Sequence, residues 1–326
     1  VAFRSPGAPL LSNRVNDVFS RRNGQVWIAT DSGAAYFQNG SWGLMNDSLS
    51  YILYSNSAPP RTSSKVNCIA AGRDGSVWFG LAGGGIRRYS PGAESGSPWI
   101  TYRTPQISFN VISGICCEEA VNGDIWATTL AAGINRFIPS VADPMYGSWT
   151  AYTAGEVPEF GSSIIETAEV NPLNRSVWIA SQFRLTVYLG ESGGWRQVVI
   201  PAPYDNTVVS IAFDEAGRVW FGKVDGVSMY DQDHGVWTHF THANTGGRLP
   251  AGRVNAVVTR GSSLRWFGTE AGLVKLEDTT WSTFNRSNLG IMTVDTVTSI
   301  SYDGRGNLWI GTPDGVLVYH KGGTTF

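Results

Sequence analysis

Cysteine, histidine and charge are all scarce in this chain of 326 residues. Three cysteines, Cys68, Cys116 and Cys117, give no even-numbered disulfide framework, and no CxxC or Cys/His ligand spacing accompanies them. They read as small buried residues of inner strands, and they leave the redox compartment open. Charged residues make up only 15%, and Lys plus Arg at 24 against Asp plus Glu at 26 leave a net charge of −2. That balance supplies no electrostatic footprint for nucleic acid or an anionic membrane. No apolar run reaches the roughly 18 residues of a transmembrane span, so no membrane insertion is expected. The start shows no charged n-region followed by an apolar h-region, so a signal peptide is absent or already removed. Leucine is sparse, and no segment keeps apolar positions at helical spacing.

Catalytic signatures are missing as well. No Gly-x-Ser-x-Gly elbow, P-loop or His-Glu-x-x-His occurs. The four histidines are His234, His239, His242 and His320. The first three cluster as if for a metal, but on an extended strand His239 and His242 point to opposite faces. No catalytic residue, metal site or cofactor is expected from these patterns.

Glycine and tryptophan are plentiful, at 39 and 13. Many short strands joined by Gly-rich turns make an all-β chain. One tryptophan recurs in a fixed setting, as Val26-Trp27-Ile28-Ala29, Val77-Trp78-Phe79-Gly80, Ile125-Trp126-Ala127-Thr128 and Val177-Trp178-Ile179-Ala180. The series continues through Val219-Trp220-Phe221-Gly222, Arg265-Trp266-Phe267-Gly268 and Leu308-Trp309-Ile310-Gly311, at spacings of 42 to 52 residues. Upstream of most copies lies a short alternating strand, as in Val66-Asn67-Cys68-Ile69 or Val254-Asn255-Ala256-Val257. Its third position is small in most copies: Cys68, Gly114, Ser210, Ala256 and Ser299, with Asp17 in the first. A tight turn follows, such as Asn23-Gly24 or Asp74-Gly75, which supplies the positive φ that short hairpins need. A third strand ends on an aromatic at Tyr36, Tyr89, Phe137, Tyr188, Tyr230 and Tyr319. A fourth carries Trp42, Trp99, Trp149, Trp195, Trp237 or Trp281.

Four antiparallel strands per repeat make one propeller blade, and seven repeats make a seven-bladed β-propeller. The first tryptophans are expected between blades, as core. The seventh repeat stops where its second tryptophan should fall, and Val1-Ala2-Phe3 reads like the tail of Trp237-Thr238-His239-Phe240. The N-terminal strand is therefore expected to close the last blade, with residues 1–5 completing a single domain of residues 1–326.

The stretch Asp303-Gly304-Arg305-Gly306-Asn307-Leu308-Trp309-Ile310-Gly311-Thr312-Pro313-Asp314-Gly315 resembles the two-component regulator propeller repeat, and Asp214 to Gly222 does so in part. The resemblance implies a bacterial extracytoplasmic sensor propeller, periplasmic or extracellular, of a kind in which some members recognise oligosaccharides. Streptogramin lyases are similar in repeat. That likeness implies a catalytic histidine beside a bound Mg²⁺, and His242, in the link after blade five, is the only histidine placed for such a role.

The repeat itself is structural, so function is sought where blades differ, in the loops of one face. That face carries the links between blades and the turns after the first tryptophan strand. The link from Gly43 to Lys65 brings Tyr51, Tyr54 and Arg61, and the turns bring Asp31, Gln182, Arg184, Lys223, Asp225, Glu270 and Asp314. Aromatics to stack on sugar faces, with carboxylates and amides to bond hydroxyls, suit a glycan. The expected partner is a small molecule or oligosaccharide, or alternatively another protein. An enzyme, a lyase or glycan hydrolase, is the third reading.

Overall fold

The computed structural model describes residues 2–5, 10–21, 23–44, 65–91, 98–118, 123–143, 146–204 and 207–321. After β1 (Ala2–Phe3) come β2–β5 (Val15–Ser20, Val26–Thr30, Gly33–Gln38 and Ser41–Leu44). Next are β6–β9 (Val66–Ala71, Val77–Leu81, Ile86–Tyr89 and Trp99–Tyr102) and β10–β13 (Ile112–Cys117, Ile125–Thr129, Ile134–Pro139 and Gly147–Tyr152). Then follow β14–β17 (Ile165–Val170, Val177–Ser181, Leu185–Tyr188 and Trp195–Val198) and β18–β21 (Val208–Phe213, Arg218–Lys223, Val227–Asp231 and Val236–Phe240). The last are β22–β25 (Val254–Arg260, Leu264–Thr269, Gly272–Glu277 and Thr280–Phe284) and β26–β28 (Ser299–Tyr302, Leu308–Thr312 and Gly315–Tyr319).

Each set of four is one antiparallel sheet, and β1 completes the seventh, in the order β1-β28-β27-β26. The fold is a seven-bladed β-propeller. Phe3 pairs with Val316 and Ala2 with Leu317, so the N-terminal strand closes the last blade as its sequence suggested. The chain falls into two compact units, Val1–Leu44 with Ile200–Phe326, and Met45–Val199.

Within each unit the repeated tryptophans are core. All seven are at most 3% exposed. In the 45–199 unit, Trp78 of one blade meets Phe137 and Trp149 of the next, and Trp126 meets Tyr188 and Trp195. In the other unit Trp220 meets Phe267, Trp266 meets Tyr319, and Trp309 meets Phe37. Offset and tilted ring pairs of this kind add to what area burial alone contributes. The glycine two residues beyond the tryptophan, within the same strand, is set by close approach. A Cβ at Gly268 would lie 2.6 Å from Val297 of the following blade, so only glycine fits there.

The hairpin aspartate explains why the motif needs its acid. Asp303 Oδ1 accepts the backbone N–H of Arg305 and Asn307, while Oδ2 accepts the Trp309 indole N–H at 3.0 Å. One carboxylate thus closes the turn and fixes the core ring. In the second blade a serine relays the same link: Trp78 donates to Ser76 Oγ at 2.8 Å, and Ser76 donates to Asp74.

Two details differ from the sequence expectation. The aromatic of the third strand in the first blade is Phe37, which pairs with Val26 and Trp42, whereas Tyr36 faces the other side against Trp27. In six sheets the register also shifts after the first residue of the inner strand, as between Val66 and Cys68 or Val254 and Ala256. Such a bulge re-aims the extra residue. Here it turns the second residue toward the next blade: Asn67 donates to Ile112 O at 2.8 Å, Ser113 to Ile165 O at 2.8 Å and Asn255 to Val297 O at 2.9 Å. Thr298 does the same to Val15 O at 2.8 Å. These side chains staple neighbouring blades within each unit.

Candidate functional site

In a four-stranded antiparallel blade the turn between its second and third strands lies at the same end as the links to its neighbours. Of the sequence-derived candidates, Asp31, Gln182, Arg184, Lys223, Asp225, Glu270 and Asp314 lie at that end of their blades.

In the unit formed by the two chain ends, Asp31 accepts a hydrogen bond from Asn16 Nδ2 at 3.0 Å and lies 3.5 Å from Arg14 Nε. Asp314 accepts from Arg4 Nε at 2.9 Å and from Thr293 Oγ1, while Arg4 also donates to Ile291 O at 2.8 Å. Both carboxylates therefore brace their turns against neighbouring chain. Asp225 and Glu270 are exposed. The Glu270 backbone is fixed by its N–H to Arg253 O at 3.2 Å.

Lys223 behaves differently. It is 1% exposed, and its Nζ donates to Tyr204 O at 2.9 Å. The Tyr204 ring stacks on His239 with centroids 4.0 Å apart, and Ser228 Oγ lies 2.8 Å from His239 Nδ1. Burial, and then the Lys223 ammonium, hold the His239 pKa below the usual histidine range. His242 Nδ1 lies 3.1 Å from Leu249 O. A carbonyl can only accept, so Nδ1 carries the proton there. Among the described residues no three His, Cys, Asp or Glu side chains gather to hold a metal.

In the 45–199 unit, Gln182 and Arg184 flank a residue that sequence reasoning passed over. Phe183, between them, is 69% exposed. Its turn is rigid: Gln182 N–H donates to Ile164 O at 3.0 Å, Arg184 Nη1 donates to Pro158 O at 2.9 Å, and Ser181 Oγ accepts the Arg184 N–H at 3.0 Å. On the preceding blade the corresponding turn presents Leu130, 43% exposed. The available signal was a bulky apolar residue in the turn, which Val224 of the fifth blade also shows, at 37% exposed. Tyr51, Tyr54 and Arg61 lie outside the described residues. The carboxylates Asp31, Asp225, Glu270 and Asp314 all belong to turns of the first unit.

The two component regulator propeller model matches residues 292–314, the link and motif of the seventh blade. The chain carries the two component regulator propeller repeat. No curated protein matches it. Among solved structures it is similar to the extracellular domain of BT3049 from B. thetaiotaomicron, described as a hybrid two component system. There the TM-score is 0.71 at 20% identity, over 95% of this chain and 40% of that one. It is similar to PorZ of Porphyromonas gingivalis, a bacterial surface component of the type-IX secretion system, with TM-score 0.72 at 16% identity over 98% and 47%. A catalytically inactive virginiamycin B lyase from Staphylococcus aureus, with quinupristin, gives TM-score 0.70 at 17% identity over 98% and 97%. At such identities these likenesses establish the propeller fold. The chain spans less than half the length of the BT3049 and PorZ chains. Among the described residues no helix of this propeller is long and apolar enough to cross a membrane.

Proposed function

We propose that residues 1–326 form one non-catalytic propeller domain of an extracytoplasmic, two-component-type sensor, and that it binds a carbohydrate at the link end of its blades. The observation that carries this reading is the exposed Phe183 ring, held on a braced turn between an amide and a guanidinium. An apolar ring left in water on a rigid turn is a stacking platform for the C–H face of a sugar, and Gln182 and Arg184 flank it with hydrogen-bonding groups. The family of the repeat and the extracellular domain among the similar structures support the location.

The test is a glycan array followed by calorimetry on any sugar retained. Phe183→Ala is expected to weaken binding at least tenfold with little change in melting temperature, because the ring makes its contacts in solvent. A sugar bound equally well by parent and variant would sink the proposed site. Capture of a protein with no sugar retained would favour an interaction scaffold.

A further inference from the structure

One unit holds blades two to four and the other holds blades five to seven with blade one, so five blade junctions lie within units. In four of them a basic side chain lies over the buried tryptophan. Arg88 stands 5.0 Å from the Trp78 centroid, Arg136 5.2 Å from Trp126, Arg265 4.7 Å from Trp220 and Lys275 5.8 Å from Trp266. The three guanidinium groups also pair with the hairpin aspartate of the tryptophan's blade: Arg88 with Asp74, Arg136 with Asp124 and Arg265 with Asp214. An aromatic face and a carboxylate together suit a planar, delocalised cation.

The fifth junction, between the last blade and the first, keeps the rings and the aspartate but has no such cation among the described residues. Phe3, Phe37 and Trp42 cluster with Trp309 as Tyr102, Phe137 and Trp149 cluster with Trp78. The two positions that supply the guanidinium elsewhere are valines here. Val318 pairs with Trp309 across the strands, where Arg88 pairs with Trp78 and Arg136 with Trp126. Val26 precedes Trp27, where Arg265 precedes Trp266. The aspartates record the difference. Asp214 Oδ1 accepts two backbone N–H groups, and Oδ2 accepts the Trp220 indole, Arg218 at 2.8 Å and Arg265 at 3.0 Å. Asp303 Oδ1 likewise accepts two backbone N–H groups, but Oδ2 accepts only the Trp309 indole and Asn307 Nδ2 at 2.8 Å. A cleft of about 250 Å³ opens there, lined by Phe3, Phe37, Trp309, Val318 and Asp303, with Arg305 exposed at its mouth.

We infer that this cleft is a second ligand site, taking a small alkylguanidinium. The ligand's charged head takes the place that Arg88, Arg136 and Arg265 fill at their junctions, beside Trp309 and Phe37 and against Asp303 Oδ2, and its alkyl chain lies against Val318. The volume falls below the roughly 300–1,000 Å³ of sites for larger ligands, so one short chain is what it holds. Burial works against the Asp303 charge, but hydrogen bonds from Trp309 and Asn307 outweigh it and keep the pKa below the usual carboxylate value. The carboxylate is therefore ionised at neutral pH. Charge-assisted bonds are about twice as strong as neutral ones, so a guanidinium should be preferred over the matching urea. Arg305 carries the ligand's own sign and opposes it from the mouth of the cleft.

The probes are butylguanidinium and its neutral isostere butylurea, titrated into the whole chain at low ionic strength and followed by calorimetry and by the Trp309 indole N–H resonance. Saturable binding of the guanidinium, with the urea about tenfold weaker, is expected. Arg305→Gln removes the like charge and should tighten guanidinium binding about threefold. Its side chain is exposed, and its backbone N–H to Asp303 is kept, so the fold is not at stake. Val318→Arg supplies the guanidinium from the chain and should abolish binding, with its melting curve showing that it folds. Should Val318→Arg not fold, the urea comparison and Arg305→Gln still decide. Equal binding of the two probes, no saturation by the guanidinium up to its solubility, weaker or unchanged binding in Arg305→Gln, or unaltered binding in a folded Val318→Arg overturns the inference.

Discussion

Phe3 of the N-terminal strand lies parallel to Trp309 of the last blade, with ring centroids 6.0 Å apart and planes 10° apart. The same ring meets Trp42 edge-on at 5.2 Å, and Arg4 beside it pairs with Asp314. Strand β1 is only two residues long. Its hold on β28 therefore rests on these side chains more than on its ladder.

Deleting residues 1–12 should therefore cost about 2–4 kcal/mol, the scale of losing a packed phenylalanine and leaving a void. It should also bare the β28 edge for pairing with another copy. A lower melting temperature and a concentration-dependent shift in size-exclusion chromatography are expected. A melting curve that matches the parent would contradict the closure seen here.

The bulge staples give a sharper test. Asn255→Ala leaves Val297 O without its partner and should destabilise by about 1–2 kcal/mol. Asn255→Ser should recover most of this, because Ser113 makes the same bond at its own blade junction. Chemical denaturation of the three proteins decides it, and equal midpoints for Ala and Ser would mean the bond contributes nothing.

The blades were legible in the sequence because the Trp-centred strands, alternating inner strands and Gly turns repeat seven times, and each copy corrects misreading of another. Where only local pattern was available, reading failed by one residue: Tyr36 and Phe37 are adjacent aromatics, and only pairing with Val26 shows which faces the core. The staples were hidden because a bulge has no signature in side-chain alternation. At the candidate site the turns were legible but their partners were not. Lys223 reads as a link-end charge, yet it is buried against Tyr204, 19 residues before it, a contact that no local pattern records. Phe183 was missed for the converse reason, since sequence alone does not separate an exposed aromatic from the many buried ones.

Asp214 should make stability depend on acid pH. Burial works against its charge, but hydrogen bonds from the Trp220 indole, Arg265 and the Arg218 backbone outweigh that and hold its pKa below the usual carboxylate value. The folded pKa is depressed, so the stabilisation is fully present above the unfolded value of about 3.9 and is lost as pH falls through the folded one. Asp214→Asn should cost about 2–4 kcal/mol at neutral pH, since it leaves Arg265 without its carboxylate. Urea melts at pH 7 and pH 3 should show the gap between parent and variant narrowing in acid. A gap of constant size would mean the charge is not what stabilises the turn.

Arg175 occupies the left-handed region at φ 64°, where the corresponding turn of the second blade has Gly75 at φ 86°. Non-glycine residues lose about 1–2 kcal/mol there, partly offset by the greater chain entropy that glycine brings to the unfolded state. The Arg175 side chain stands 3.8 Å from Glu118 and is half exposed, which adds little. Arg175→Gly should therefore stabilise by about 0.5 kcal/mol, visible as a small rise in urea midpoint. A fall would show that the Glu118 contact outweighs the backbone strain.

His242 and Phe183 should separate the binding reading from the enzymatic one. His242 is tied through Nδ1 to Leu249 O, and Leu249 is fully buried in the core beside Trp220 and Phe267. Its place is that of a brace for the link after β21, so His242→Ala should lower stability by about 1 kcal/mol while ligand affinity stays within twofold of the parent. Phe183→Ala should do the reverse, weakening ligand binding with the melting temperature held, because its ring lies in solvent. Measuring both variants for stability, for glycan binding and for turnover of a streptogramin gives the two readings opposite signatures. A lyase working through His242 would turn over the antibiotic in the parent and lose turnover on His242→Ala, with the fold intact. A sensor propeller turns over nothing in any of the three proteins, and only the Phe183 variant changes what it binds.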